Sequence, residues 1–167
     1  MLQLKKYTEN DYSLYSQLVF NEPAMKMNLG RAFTDDEAAS FFQMVLRCNI
    51  ANPDLGYYMV FLKQDEGNPY IGMGALNQND DYHAIEIEYM LLPPYWNQGH
   101  GTELVKQLLQ MANEAYQEMD IIAITDPENT YSKKILQRVG FTLDRQYVND
   151  DGDLAELYIK RAEHESK

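Results

Sequence analysis

Two glycines, Gly99 and Gly101, close the run Pro93-Pro94-Tyr95-Trp96-Asn97-Gln98-Gly99-His100-Gly101-Thr102, and the chemistry they permit is anion binding. A glycine has no Cβ, so its backbone can take positive φ and bring successive N–H groups against a ligand. A helix reads from this point, and its unpaired first-turn N–H groups and positive dipole end face the same place. Asn97, Gln98, Gly99, His100, Gly101 and Thr102 are therefore the candidate cradle for a pyrophosphate. Upstream, Glu86 and Glu88 stand at alternate positions of one predicted strand, which puts both carboxylates on one face. They can take a proton or hold a cation, or they can simply be the wet face of the strand. Downstream, Asn129 and Ser132 sit where a short helix should begin, and a hydroxyl there can satisfy its free backbone donors.

These groups need a frame. Residues 85–92 alternate apolar side chains with carboxylates and then become wholly apolar, as expected of a strand buried at its C-terminal end. Pro93 stops it. Beyond the turn, Leu104, Val105, Leu108, Leu109, Ala112 and Ala115 recur with polar residues between them, continuing through Tyr116 to Met119. That is the spacing of a helix with one face on a sheet. Two other glycine turns are excluded. The dinucleotide fingerprint needs a third glycine where this chain has Leu104, and a P-loop needs a Gly-Lys-Ser/Thr run that is absent.

The runs Tyr95-Trp96-Asn97-Gln98-Gly99-His100-Gly101-Thr102-Glu103 and Asn129-Thr130-Tyr131-Ser132, the latter followed by Gly140-Phe141, stand in a telling order. With them the chain resembles the GCN5-related N-acetyltransferase (GNAT) family, and within it the branch holding the ribosomal-protein N-terminal acetyltransferases. The family's pyrophosphate loop reads Arg/Gln-x-x-Gly-x-Gly/Ala, and Trp96 replaces its first residue. The branch commonly reads Tyr-Trp-Gly-x-Gly-Tyr-Ala-Thr-Glu there. The resemblance implies an α/β fold with a central mixed sheet of about seven strands and helices on both faces. It also implies acetyl-CoA as acyl donor and a primary amine as acceptor. In the family two central strands part at their C-terminal ends and admit the pantetheine arm. Here those ends map to residues 89–92, with Met90, Leu91 and Leu92 as contacts, and to residues 124–127.

Composition supports a single domain over residues 1–167. Hydrophobic residues at 45% and charged residues at 24% are ordinary globular values. Residues 1–7 carry no apolar signal region, and the longest apolar run, residues 57–62, is too short to span a membrane. The one cysteine, Cys48, excludes an internal disulfide and fits the cytoplasm, with core filling as its role. A net charge of −12 argues against nucleic acid and leans toward a cationic acceptor. Acetyl-CoA is itself an anion, so Lys106, Lys133 and Lys134 are candidates for local positive charge. No spacing of His83, His100 or His164 suggests a metal. A monomer or a homodimer is expected, an edge strand of the C-terminal hairpin being able to pair with a second copy.

Along the chain, residues 2–7 read as a strand and residues 8–20 as a capped helix. Residues 21–33 read as irregular, with Pro23, Gly30, Met25 and Met27. Thr34-Asp35-Asp36-Glu37 is a capping box for a helix to about residue 50. Strands follow over 57–63 and 70–76, with 77–81 as a polar turn. A strand over 120–125, a helix over 132–139 closed by Gly140, and a hairpin of 141–148 with 154–160 complete the order. Asp150, Asp151 and Asp153 in that hairpin either face a basic acceptor or simply make an Asp-Gly turn.

The reaction sets its own demands. An amine of pKa ~10.4 is almost wholly protonated at pH 7, so attack on a thioester needs a base. Glu86 is the first candidate and Glu88 the second. Backbone N–H groups around residues 90–92 can hold the oxyanion. Much of the family protonates the leaving thiolate with a Tyr seven residues after the motif Asn, where this chain has Leu136. The resembled branch has a Ser three residues after that Asn, here Ser132, which becomes the candidate donor and a cofactor contact, with Tyr131 as substitute; the resemblance also implies that Asn129 bonds the pantetheine, stabilises the turn, or does both. Leu136 also leaves open a non-catalytic acyl-CoA-binding module.

Overall fold

The structure, a computed structural model, describes residues 1–163; His164 and the charged end read above as frayed lie outside them. Seven strands, β1 (Leu2–Lys6), β2 (Gly56–Leu62), β3 (Tyr70–Asn79), β4 (Ala84–Leu91), β5 (Asp120–Thr125), β6 (Thr142–Val148) and β7 (Leu154–Lys160), form one sheet. Its order is β1-β2-β3-β4-β5-β7-β6. Every adjacent pair is antiparallel except β4 with β5. Five helices cover the faces: α1 (Tyr12–Val19), α2 (Glu22–Leu29), α3 (Asp35–Ala51), α4 (His100–Ala115) and α5 (Thr130–Arg138).

Alternation along the strands divides the core in two. Tyr15, Leu18, Met25, Phe42 and Val45 of α1 to α3 pack on Tyr57, Met59, Met73 and Ala75. Leu104, Val105 and Leu108 of α4 and Ile135 and Leu136 of α5 pack on Val60, Ile71, Ile85 and Ile87 across the sheet. Full enclosure of a Leu such as Leu104 or Leu108 contributes about 1.5–3 kcal/mol, which fixes where α4 starts relative to β4.

The capping box at α3 forms: Glu37 N–H donates to Thr34 Oγ1 at 3.3 Å, and Thr34 N–H donates to Glu37 Oε1 at 2.9 Å. Three expectations are corrected. Residues 21–33 are not irregular throughout: Glu22–Leu29 form α2, because Asn21 Oδ1 accepts from Ala24 N–H at 3.0 Å and Pro23 falls in its first turn, where its missing N–H costs nothing. Gly30 closes that helix at φ +77°. Residues 77–79 are strand, not turn; the side chains of Asn77 and Asn79 face the carboxylates of β4. Finally, α4 ends at Ala115, and Tyr116 and Met119 reach the core from the turn beyond it.

One local feature of the sheet positions the site. The β4–β5 ladder covers only Ala84–Glu86 against Asp120–Ile122, although β4 runs on to Leu91 and β5 to Thr125. The strands part there. Leu92 N–H donates to Ile71 O at 2.7 Å, so by the alternation of an antiparallel ladder the amides of Met90 and Glu88 also face β3. Those of Tyr89 and Leu91 face the opening.

Candidate active site

The cradle is built by a turn folded back on its own strand. Tyr95 N–H donates to Leu92 O at 3.0 Å, Trp96 N–H to Pro93 O at 3.1 Å and Gln98 Nε2 to Pro94 O at 2.8 Å. The Trp96 indole donates to Leu91 O at 2.8 Å, so this residue, in the place of the family's Arg or Gln, pins the turn to the end of β4. The bend uses positive φ at Asn97 (+59°) and Gly99 (+85°). Gly101 does not, which corrects the expectation that both glycines supply the bend. A Cβ on Gly101 would lie 2.7 Å from Ile135 Cδ1 and 2.8 Å from the Tyr131 hydroxyl. Its bare backbone lets α5 close on α4.

Gly99 is the N-cap of α4 and brings no side-chain cap, and the first helical bond runs from Glu103 N–H to Gly99 O. The amides of His100, Gly101 and Thr102 are thus left without helical acceptors. The expected basic groups are placed differently. Lys133 Nζ is 3.3 Å from Glu156 Oε2 and donates to Pro127 O at 3.2 Å, so it ties α5 to β7. Lys106 lines a groove between α4 and α5 with Gln110, Glu114 and Arg138, beyond the first turn of α4. Lys134 is exposed.

Beside the cradle, Asn129 Oδ1 accepts from Ser132 N–H at 3.0 Å and caps α5. Of the two roles open to Asn129, the turn is the observed one. Ser132 is buried, and its hydroxyl lies 2.5 Å from the Tyr89 hydroxyl. Burial pushes the Tyr89 phenol up to about 12, against the opposing hydrogen bond of Ser132. Tyr89 was missed in the sequence because it reads as one more apolar position of β4. Leu136 is fully buried in the core. Tyr131 turns toward the cradle, not toward the opening.

Across the sheet lies a second polar group. Asn77 Nδ2 donates to Glu88 Oε2 and to the Tyr57 hydroxyl, both at 3.2 Å, and Asn79 Nδ2 donates to Glu86 Oε1 at 3.0 Å. Glu88 is exposed to solvent at the strand surface, with protein packed densely beneath it. Its carboxyl is pushed up to about 8, first by desolvation and then by the neighbouring Glu86, while Asn77 and Tyr57 pull it down. Glu86 also lines an open recess of 380 Å³ with Asn77, Asn79, Asp80 and Asp81. Cys48 packs against Met44, Sγ to Sδ 3.4 Å, in keeping with a filling role. The two carboxylates were legible in the sequence; their partners Asn77, Asn79 and Tyr57 came into view only with the fold, and the signal for them was two Asn residues at alternate positions, matching the spacing of Glu86 and Glu88.

A parted pair of strands, free helix amides at the end of one, and polar groups on both faces of the opening fit an extended acyl thioester with an anionic tail. The family model described as "Acetyltransferase (GNAT) domain" matches residues 1–142. The chain belongs to the GNAT acetyltransferase family. An N-acetyltransferase described as uncharacterised, p20 of Bacillus licheniformis, is 25% identical over 162 residues, 95% of this chain and 90% of the relative. The ribosomal-protein-S5-alanine acetyltransferase of Vibrio fischeri has the same fold, with TM-score 0.78 and 16% identity over 99% of this chain and 96% of that one. So has the spermidine N-acetyltransferase of Vibrio cholerae solved with CoA and spermine, with TM-score 0.74 and 16% identity over 96% and 95%. The fold is the GNAT fold, and the likeness is not confined to ribosomal-protein enzymes. The protein is an acetyltransferase of this family, whose acyl donor is acetyl-CoA. Among the described residues no group of three His, Cys, Asp or Glu side chains could hold a metal, and no helix is long and apolar enough to cross a membrane.

Proposed function

We propose that this GNAT enzyme, a single catalytic domain of the cytoplasm, acetylates a cationic primary amine by direct attack within a ternary complex. The amine enters from the face covered by α1 to α3, as a small polyamine or as a protein N-terminus of the kind the resembled branch modifies. Acetyl-CoA lies on the α4–α5 face, its diphosphate on the amides of residues 99–102 and its arm along Tyr89 and Leu91. The observation that carries the reading is Glu88, a carboxyl of raised proton affinity hydrogen-bonded by Asn77 beside the parted strands.

Glu88, ahead of Glu86, is the base. The neutral amine attacks the thioester carbonyl, a C–N bond forms, and the ammonium proton passes to the Glu88 carboxylate directly or through a water. The oxyanion is held by an amide of Tyr89 or Leu91. The C–S bond then breaks, and the thiolate leaves toward the Tyr89–Ser132 pair. A phenol near 12 is a weak acid beside a thiol of about 8.5, so that pair steadies the sulfur by hydrogen bonding more than by outright protonation. Glu86 and Asp80 offer charge to a second ammonium group of the acceptor.

The test is thiol release from acetyl-CoA against a panel of amines. Turnover with a cationic amine that falls steeply in Glu88→Gln and several-fold in Ser132→Ala, with CoA binding retained, supports the assignment. Tight CoA binding without acceptor-dependent release by the native protein would favour a binding module instead.

A further inference from the structure

The Tyr131 hydroxyl is shielded from solvent and has no hydrogen-bond partner. A buried polar group left this way costs free energy, and native proteins rarely tolerate it without a reason. Its position supplies one. Tyr131 stands in the first turn of α5, and its hydroxyl lies 2.8 Å from where a Gly101 side chain would begin. The backbone amides of Asn97 and Gly101 both face it. The phenol therefore projects into the rim of the anion cradle, with two N–H donors beside it and no acceptor for its own proton.

We propose that Tyr131 is a further donor to the coenzyme's diphosphate, its O–H completing a set otherwise made of main-chain amides. This rests on the coenzyme reading above. An anionic oxygen seated on the cradle amides gives the phenol the acceptor it lacks.

Calorimetric titration of the native protein and Tyr131→Phe with CoA tests this, together with turnover of acetyl-pantetheine, a donor lacking the diphosphate. A hydrogen bond to a charged group should make CoA binding about ten- to a hundredfold weaker in Tyr131→Phe. The loss should be concentrated on the donor that carries the diphosphate, with acetyl-pantetheine turnover falling far less than CoA affinity. Equal or tighter CoA binding by the variant would overturn the proposal, as it would mean the phenol is idle or obstructs the cradle. Equal losses with both donors would also overturn it, marking a packing role. If the native protein itself fails to bind CoA, the coenzyme reading falls and takes this one with it, a result the native control alone reveals.

Discussion

On the α4–α5 face, the groups turned toward the opening come from three short stretches, residues 89–91, 97–102 and 129–132, and much of what they offer is main chain. On the α1–α3 face, Tyr57, Asn77 and Glu88 come from three different strands and offer only side chains. On the function proposed above, the contrast follows from what each side has to hold. A diphosphate is the same in every reaction of the family, and a helix start with a glycine cap recognises it by geometry. An acceptor amine must be deprotonated, which calls for a carboxyl whose proton affinity is set by burial and neighbours. The two faces should therefore fail separately when altered.

The largest separation is expected from Glu88→Gln. Loss of a general base should lower kcat by roughly 10²–10⁴-fold, while CoA affinity, measured by calorimetry, stays native. The pH profile sharpens this. With the carboxyl pushed up to about 8, native activity should climb as pH rises through that value, and the Gln variant should lose the limb. Stability has the opposite sign. A carboxyl whose folded pKa lies above its unfolded one binds more protons when folded, so stability declines from the ordinary carboxyl range up to about pH 8. The Gln variant should lack that slope in denaturant titrations across pH. Next in size is Gly99→Val, at a position with open space around it but φ +85°. Strain of about 1–3 kcal/mol on the turn should weaken CoA binding and leave the pH limb of Glu88 where it was. A shift in that limb would join the two faces.

Asn77→Ala probes the side-chain face more gently. Its amide stabilises the charged form of Glu88, so removal should move the activity limb to higher pH and lower the rate several-fold at pH 7, with CoA affinity intact. A limb moved to lower pH would contradict the assignment.

The same contrast explains what the sequence made legible. The strand, turn and helix around Gly99 could be read because apolar periodicity and a glycine cap are local signals, and local signals survive without a fold. Gly101 was assigned to the bend for the same reason, although its bareness serves Ile135 and Tyr131 arriving from α5, a contact no local pattern announces. Asn77 and Asn79 looked like turn residues because turn chemistry favours Asn; on β3 they are polar because they face Glu86 and Glu88. Lys133 looked free for a phosphate, and the buried Glu156 that claims it lies on a strand more than a helix away.

The smallest expected effect concerns α2, which Pro23 obscured in the sequence. This helix buries only Ala24 and Met25. It depends on the Asn21 cap and on Glu22, whose Oε2 accepts from Ala32 N–H at 2.6 Å beyond the helix end. Asn21→Ala should cost about 1 kcal/mol, read as a small fall in thermal midpoint. Because α2 lies over the side-chain face, any kinetic trace should appear in the KM for the amine, while CoA affinity and the Glu88 limb stay fixed. If CoA affinity moved instead, α2 would have to be coupled through the sheet to a cradle it does not touch, and the division of labour between the faces would be broken.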